Sequence, residues 1–309
     1  MSNKGSRAAT RVARSNSIYA FSRENRPALK VRPPADLVFE TQDCFSGQVT
    51  PASPVLGAVD WAHINPATGP VHVEGARPGD ILAVSIKSVK MAPLGLMAAL
   101  EGEGILRDRV RATEVKFVKV SRGLAAFSDR VKLPVRPMIG VIGVAPAGEP
   151  VPCGTPGGHG GNMDTRLIGP GATVLFPVAV EGALLAMGDV HAVMGDGEIM
   201  GTGVEIGADV TVRVEVRRDL ADLGLKNPAI LTESHFVTIA SAKSLDAAVK
   251  AATRDMVGIL MRRGKLGLNE AGMLCSAAGT VAVSQVVDPL KTARFEMPLS
   301  VLADLGVTI

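Results

Sequence analysis

The segment ADVTVRVEVRR at residues 208–218 alternates apolar and polar side chains with a period of two. In an extended strand, this pattern places the valines on one face and Arg213 and Glu215 on the opposite face. One face is therefore predicted to be buried and the other solvated. An amphipathic helix would instead repeat its apolar residues at intervals of three and four. The segment predicts a β-strand and sets the expectation for the rest of the chain.

Short runs rich in β-branched residues, separated by proline, glycine and aspartate, recur along the chain before Pro228. These runs are LKVRPPADLVFET (29–41), GPVHVEGARPGDILAVSIKSVK (69–90), TEVKFVKV (113–120), VRPMIGVIGVAP (135–146) and ATVLFPVAV (172–180). Strands that follow one another without intervening helices favour antiparallel sandwiches or barrels over a doubly wound sheet. The sequence therefore predicts a mainly β fold.

The pattern changes after Pro228. SLDAAVKAATRDMVGILMRRG at residues 244–264 predicts an amphipathic helix, with Ser244 as its N-cap and Gly264 at its C-terminal end. A second short helix is predicted at residues 269–278, followed by the strand TVAVSQVVD at 280–288. The C-terminal segment is thus predicted to be α/β and to pack on the β body.

Composition limits the classes of function. The chain has 309 residues, 47% hydrophobic and 20% charged, with a net charge of +3, as in a soluble globular enzyme. Aromatic residues make up only 3%, and the body of the chain has no long basic run, which argues against nucleic-acid binding. The most apolar window is interrupted by Pro177 and Glu181, so no membrane span is predicted.

The cysteines indicate the cellular compartment of the protein, and the basic N-terminus indicates whether that segment is ordered. Cys44, Cys153 and Cys275 lie far apart and are odd in number, which predicts free thiols in a reducing cytoplasm. Residues 1–17 contain basic but no acidic side chains and are predicted to be a disordered tail. We divide the remainder into an N-terminal β domain at 18–145 and a second β domain at 146–309, which includes the α/β segment.

The segment GDVHAVMGDGE at residues 188–198 concentrates acids near a histidine. On a strand, Asp189 and His191 share one face, where they could clamp a divalent metal or transfer a proton. The turn that follows adds the carboxylates of Asp196 and Glu198. Taken alone, the segment is compatible with a metal or proton-transfer site and equally with an acidic turn.

The segment TPGGHGGNMDTR at residues 155–166 is rich in glycine. It lacks the lysine and the helix of a phosphate loop, and the strand–turn–helix context of a dinucleotide fingerprint. What remains is close approach of the backbone at Gly160 and Gly161, together with the polar side chains of Asn162 and Asp164. His159 either ligates a metal or is satisfied by backbone groups.

Other polar residues leave alternatives open. Cys153 as nucleophile and His159 as base would make a thiol amidase, although no second residue is seen to orient the histidine. His63 lies in the rigid turn DWAHINPATGP, where a plain loop explains it equally well. Glu205 and Glu233 are isolated acids at strand ends and are interpreted as structural or surface groups.

Six motifs occur in a characteristic order between Tyr19 and Pro298. They are FSRENRPALKV (21–31), FETQDCFSGQ (39–48), NPATGPVHVEGARPGD (65–80), GGHGGNMDT (157–165), GDVHAVMGDGE (188–198) and SQVVDPLKTARFEMP (284–298). Together they resemble the acetamidase/formamidase family, in its shorter, acetamidase-like branch. The combination of GGNMD with the GDGE segment carries the specificity of this resemblance.

The resemblance implies hydrolysis of a small amide, linear or cyclic, to a carboxylate and ammonia. It also implies a fold of two sandwich-like halves with a homo-oligomer of two or more subunits, and a divalent metal ion, zinc or calcium. The family's signature polar positions fall on Asp43, Asp164, Asp189, His191 and Glu198. The chain departs from the family at Met194, where a polar residue such as glutamine is expected, which bears on substrate preference.

These observations combine into a mechanistic hypothesis. Asp164, Asp189 and His191, together with Asp43, are expected to hold a divalent ion that activates water. Glu198 is expected to act as the general base, with Asp164 as a second proton-handling acid. Asn162 and the backbone of Gly160 and Gly161 are expected to contact the amide carbonyl. The alternative from another class is a non-enzymatic protein that binds a small amide or a metal on the same fold.

Overall fold

A computed structural model describes residues 9–309 of the chain. It is mainly β, with 39% of residues in strands and 16% helical, which confirms the predicted class. The strands of the first half are β1 (Thr10–Val12), β2 (Ser17–Ile18), β3 (Ala20–Phe21), β4 (Leu29–Val31), β5 (Ala35–Thr41), β6 (Ala67–Val73), β7 (Ile81–Met91), β8 (Leu94–Ala99), β9 (Glu114–Ser121), β10 (Leu124–Ala126), β11 (Lys132–Pro134) and β12 (Met138–Gly143).

The second half of the described chain contains the later strands and, near the C-terminus, the α-helices. The strands are β13 (Val151–Pro152), β14 (Gly160–Asn162), β15 (Thr173–Pro177), β16 (Leu185–His191), β17 (Glu205–Ile206), β18 (Ala208–Val216), β19 (Ala229–Leu231), β20 (His235–Ala242), β21 (Thr280–Gln285) and β22 (Lys291–Pro298). The α-helices are α1 (Leu245–Arg262), α2 (Leu268–Ala278) and α3 (Leu299–Asp304). The predicted C-terminal α/β segment is thus confirmed.

Two large sheets make up the body of the described chain. Sheet A has nine strands in the order β1-β5-β18-β7-β15-β19-β20-β22-β21. Sheet B has eleven strands: β11-β10-β9-β8-β17-β16-β12-β14 form its main path, and β6 pairs with β16 and with β2 and β4. The pairs β1–β5 and β4–β6 are parallel, whereas the long ladders are antiparallel. This agrees with the antiparallel architecture predicted from the strand pattern.

Strand β18 lies inside sheet A and shows the expected alternation. Val210, Val212 and Val214 are buried, whereas Thr211 and Arg213 between them are partly exposed. The strand pairs along its length with β5 on one side and β7 on the other. Its apolar face therefore belongs to the core, and its polar face is only partly covered.

The molecule has three layers. One apolar cluster joins the facing sides of the two sheets, with Phe39 and Ile86 from sheet A and Ile139 and Met187 from sheet B. A second cluster joins the opposite side of sheet A to the helices. Sheet B thus packs on one face of sheet A and the helices on the other, as expected for elements that must bury an apolar face.

Helix α1 begins where the sequence predicts. The Ser244 hydroxyl accepts a hydrogen bond from the backbone N–H of Ala247 at 3.3 Å, which is the geometry of an N-cap. The helix ends at Arg262, close to the predicted Gly264. Its buried face includes Ala252, Met256 and Ile259, and it packs on β20 and β22.

The predicted domain division is only partly comparable with the structure. Residues 1–8 of the predicted tail lie outside the described residues. Thr10–Val12 form β1, which pairs with β5, so this part of the tail is ordered, contrary to the prediction. Each sheet takes strands from both sides of residue 145, and the division into 18–145 and 146–309 stays a prediction. Within residues 9–309, no helix has the length and apolarity required to cross a membrane.

The alternation of β18 gives a direct test of the core. Replacing Val212 with alanine removes buried methyl groups and should lower the free energy of unfolding by about 2 kcal/mol. The matched change Thr211→Ala, on the other face of the same strand, should cost less than about 0.5 kcal/mol. Urea denaturation followed by circular dichroism measures both, and equal losses would contradict the assignment of faces.

Candidate active site

Adjacent strands of sheet B bring distant polar residues together. His191, at the end of β16, lies directly opposite Glu205 of β17 in the strand register. On its other side β16 pairs with β12, and β12 pairs with β14, after which Asp164 follows. Strand pairing therefore brings Asp189, His191 and Asp164 together, and their predicted role as metal ligands stays a prediction.

A single imidazole nitrogen lies at the centre of the site. His191 Nε2 is 3.1 Å from Glu205 Oε2 and 3.5 Å from Asp189 Oδ1. It is also 3.9 Å from Asp164 Oδ1 and 3.9 Å from Glu198 Oε1. All five side chains are almost completely buried. We call this group, together with Asp288 described below, the acid–histidine cluster.

Several polar atoms of the cluster have no hydrogen-bond partner among the described residues. They are both carboxyl oxygens of Asp164, Asp189 Oδ1, His191 Nδ1 and Glu205 Oε2. Buried polar atoms are nearly always paired, because an unpaired one costs free energy. The unpaired carboxyl oxygens among them are therefore suited to a ligand that supplies positive charge.

The donor atoms form two groups with the spacing of metal ligands. Asp164, His191 and Glu198 each offer one atom within 4.8 Å of the others. Cys44, Asp189 and Glu205 offer a second such group. Carboxylate, imidazole and thiolate are the donors that divalent transition metals use in proteins. The residues present thus fit a divalent cation.

The backbone is strained where the cluster residues sit. Asp164, Asp189 and Glu198 all adopt positive φ angles, of 39°, 54° and 46°. This left-handed region is uncommon for residues other than glycine, and strained residues concentrate at functional sites. The surrounding packing therefore holds these three carboxyls in positions that the local chain does not favour.

Gly140, in the middle of β12, provides the space into which the carboxyls project. A β-carbon built on Gly140 would lie 2.6 Å from Asp189 Oδ2, 2.9 Å from the Asp189 carbonyl oxygen, and closer still to Asp164 Oδ1. Any side chain here would displace the acids. Glycine at this position is thus a requirement of the site and is unrelated to backbone flexibility.

Burial and like charges change the ionisation of the cluster. Burial raises the pKa of Asp164 and of Glu198 well above their usual range. The charges of Asp288 and Asp189 raise the pKa of Asp164 further, and the charge of Asp164 raises that of Glu198. Burial raises the pKa of Glu205 to about 7, although His191 opposes this.

His191 and Asp189 show the opposite balance. Burial alone would lower the pKa of His191, but Glu205 and Asp189 hold it well above its usual value. Burial alone would raise the pKa of Asp189, but His191 lowers it. A protonated His191 neutralises only part of the surrounding negative charge. Further protons must balance the remainder, or a divalent cation must replace the imidazolium proton.

Sequence reasoning missed two members of the cluster. The sequence indicates only a structural or surface acid at Glu205, yet this residue is only 2% exposed and faces His191. Asp288, after β21, accepts a hydrogen bond from Asn162 Nδ2 at 3.1 Å and lies against Asp164. Burial and the nearby Glu198 raise the pKa of Asp288 well above its usual range. The motif SQVVDPLKTARFEMP was the available signal for Asp288.

The loop that carries Glu198 is anchored by a buried arginine. Arg294 of β22, 2% exposed, donates to both carboxyl oxygens of Asp196, at 2.9 and 2.8 Å. Arg166 donates to the same carboxylate at 2.8 Å. Asp196, which alone could be a solvated turn residue, is thus an ion-pair anchor that fixes the position of Glu198.

Asp43, Gly160 and Gly161 make contacts that stabilise the local backbone. The Asp43 carboxylate accepts the backbone N–H groups of Phe45 and Gly47, at 2.9 and 3.1 Å, and thereby closes a turn. It belongs to neither metal-ligand group among the described residues. Gly160 and Gly161 pair with β12, and a β-carbon on Gly160 would collide with the Ile142 carbonyl oxygen. Their close approach is thus to a strand, and a contact with substrate stays a prediction.

The geometry does not support a thiol mechanism. Burial raises the pKa of Cys153 to about 12, and its Sγ lies 3.5 Å from the Ile18 carbonyl oxygen, to which it donates. A thiolate nucleophile needs the opposite shift. Burial lowers the pKa of His159 to about 4, and its ring packs edge-on against Phe21. His63 lies outside the cluster, with its Nδ1 2.5 Å from Asp60 Oδ2.

A cavity of approximately 680 Å³ opens beside the cluster. Asp288 forms part of its wall, and Asn65, Gly154 and Thr155 line it nearby. Because Asp288 is bonded to Asn162 and lies against Asp164, it connects the cavity with the buried acids. A small molecule in the cavity would therefore meet the cluster at Asp288.

A family model and solved structures match this chain over most of its length. The model of the Acetamidase/Formamidase family matches residues 21–152 and 151–288. The crystal structure of an acetamidase from Bacillus halodurans is 46% identical, with a TM-score of 0.92, covering 96% of this chain and 100% of that one. A predicted acetamidase/formamidase from Thermoanaerobacter tengcongensis is also 46% identical, with a TM-score of 0.94 and coverage of 97% and 99%.

Sequence relatives extend the comparison at lower identity. The formamidase of Methylophilus methylotrophus is 27% identical over 259 residues, which cover 64% of this chain and 63% of that protein. The chain spans between 59% and 67% of the lengths of the curated relatives that it matches.

The space at Gly140 yields a prediction. Gly140→Ala should push the Asp164 and Asp189 carboxyls apart and lower the free energy of unfolding by about 1–3 kcal/mol. Gly148→Ala is the matched control, because a β-carbon there meets nothing within 4 Å. Urea denaturation of both variants measures the difference. Equal stability of the two variants would show that the cluster tolerates a side chain at residue 140.

The buried neutral His159 predicts a pH dependence of stability. Its pKa is lowered from 6.5 to about 4, so between these values the unfolded chain binds a proton that the folded protein does not. Stability is therefore lost as the pH falls from 6.5 to 4, by an amount on the order of 3 kcal/mol. Subtracting the unfolding free energy of His159→Gln at each pH isolates this contribution. A difference that stays constant from pH 7 to pH 4 would contradict it.

Proposed function

Because this chain belongs to the acetamidase/formamidase family, we propose that it hydrolyses a small amide to a carboxylate and ammonia. The observation that carries the proposal is His191 Nε2 within 3.9 Å of four buried carboxyls, next to a cavity that Asp288 lines. A neutral amide does not need this much charge for binding alone. Groups with raised pKa values in a cleft are typical of proton-transfer chemistry.

We propose that Asp164, His191 and Glu198 hold a divalent cation. Their donor atoms lie within 4.8 Å of one another, and neither Asp164 carboxyl oxygen has a hydrogen-bond partner within residues 9–309. An imidazole donor, with the Cys44 thiol in the adjacent group, favours zinc over calcium, which prefers oxygen ligands. When bound, such a cation would polarise the amide carbonyl and lower the pKa of a nearby water molecule.

Asp288 is the proposed general base. Its carboxyl lies between the metal-ligand group and the cavity, and the hydrogen bond from Asn162 Nδ2 orients it. It accepts a proton from the attacking water and returns it to the leaving nitrogen. Glu198, the base expected from the sequence, is instead assigned to the cation because its carboxyl lies with Asp164 and His191.

Asn162 contributes a hydrogen-bond acceptor for the substrate. Its amide nitrogen is used by Asp288, whereas its Oδ1 is buried without a hydrogen-bond partner among residues 9–309. This oxygen is an acceptor for an N–H of the substrate amide. The substrate would then be held by its nitrogen while Asp288 handles the proton.

The assembly and location expected from the sequence are proposals of the same kind. The three cysteines are free and buried, which supports a reducing compartment such as the cytoplasm. The homo-oligomer rests on the family resemblance, and light scattering of the purified protein measures it.

Ammonia release from a panel of linear and cyclic amides, combined with metal analysis, tests the proposal. Asp288→Asn should lower kcat by about 10²–10⁴-fold and leave the bound metal unchanged. Glu198→Gln should lower both the metal content and kcat. Glu149→Gln, which changes an exposed acid of the same type, should match the wild-type protein.

Three outcomes would count against these assignments. Near-normal turnover by Asp288→Asn would show that Asp288 is not the general base. Full activity after exhaustive chelation, with no metal detected, would show that the reaction does not need a cation. No ammonia from any amide of the panel would overturn the proposed function itself.

A further inference from the structure

The cavity beside Asp288 has a mixed wall with a large apolar part. Its apolar lining includes Tyr19, Trp61, Ile64, Leu100, Val287 and Pro289. Its volume is approximately 680 Å³. Cavities of about 300–1,000 Å³ are the size that encloses drug-like ligands. Formamide or acetamide, with only a few non-hydrogen atoms, would leave most of this space to water.

Two aromatic side chains line this cavity. The chain has a single tryptophan and a single tyrosine, and both Trp61 and Tyr19 line the cavity. Trp61 remains 50% exposed. A large exposed apolar side chain in a concave site, beside a few convergent polar groups, is a feature of ligand pockets.

Neighbouring side chains hold both aromatic rings in place. Trp61 packs edge-on against buried Phe45, with ring centroids 6.4 Å apart. Tyr19 packs edge-on against His63 at 4.7 Å, and His63 is held in turn by Asp60. The wall is therefore formed before a ligand arrives, which lowers the entropic cost of binding.

We propose that the substrate is a primary amide whose acyl group carries a bulky apolar substituent, aryl or branched. The amide group lies at Asp288, and the substituent packs against Trp61 and the other apolar residues. Glu101 and Glu103 also line the cavity, so an anionic substituent is disfavoured. This inference rests on the proposed amide hydrolysis and specifies its substrate class.

Steady-state kinetics with phenylacetamide and acetamide test the inference, since both release ammonia. The wild-type protein should prefer phenylacetamide by ten-fold or more in kcat/KM, because the larger acyl group fills an apolar pocket. Trp61→Ala should lower the ratio of the two kcat/KM values about ten-fold. Leu268→Ala, a large exposed residue outside the cavity, should leave this ratio unchanged.

Trp61 also reports binding without catalysis, because it is the only tryptophan. In the Asp288→Asn protein, phenylacetamide should change the tryptophan fluorescence saturably at concentrations where acetamide has no effect. This measurement does not depend on turnover or on the folding of Trp61→Ala.

The outcomes separate the two proposals. Equal or better turnover of acetamide, or a fluorescence response that does not distinguish the two amides, would overturn the substrate class while amide hydrolysis stands. A loss of equal size for both substrates in Trp61→Ala would also overturn it. Saturable binding of phenylacetamide with no ammonia release by the wild-type protein would instead overturn the hydrolytic function.

Discussion

The burial of several carboxyls around one imidazole is the constraint on which the rest of the site depends. His191 can balance only one negative charge, whereas four carboxyls lie within 3.9 Å of its Nε2. Burying excess charge of one sign is costly unless protons or a cation compensate it. The raised pKa of Asp164 and the space at Gly140 are consequences of bringing these groups together.

A charge arrangement of this kind needs rigid support, and the second half of the chain supplies it. Arg294 fixes Asp196, and the backbone N–H of Gly197 donates to the Ser284 carbonyl oxygen at 2.8 Å. The loop that carries Glu198 is thereby attached to β21, and Asp288 follows the same strand. Two acids distant in sequence are thus positioned by one edge of sheet A, which resists their mutual repulsion.

The sequence anticipated part of the site. Asp164, Asp189, His191 and Glu198 were predicted from two motifs, because a strand places alternate side chains together and a turn projects its acids. Glu205 was missed because its position depends on the register between β16 and β17, which the local sequence does not encode. Asp288 was missed because it reaches the cluster only through the packing of the two sheets. Asp43 is expected near the cation from the family resemblance; its carboxylate closes a turn, and a role at the cation stays a prediction.

The sequence by itself determined the mainly β class, the alternation of β18, the capped helix α1 and the chemical types available to the site. These features depend on side-chain periodicity and capping over a few residues, so they can be predicted locally. Only the tertiary structure decided which acids meet, how deeply they are buried and that the single tryptophan and tyrosine border the same cavity. Strand register and sheet packing connect residues far apart in the chain, and the free energy of burying charge depends on all of those neighbours together.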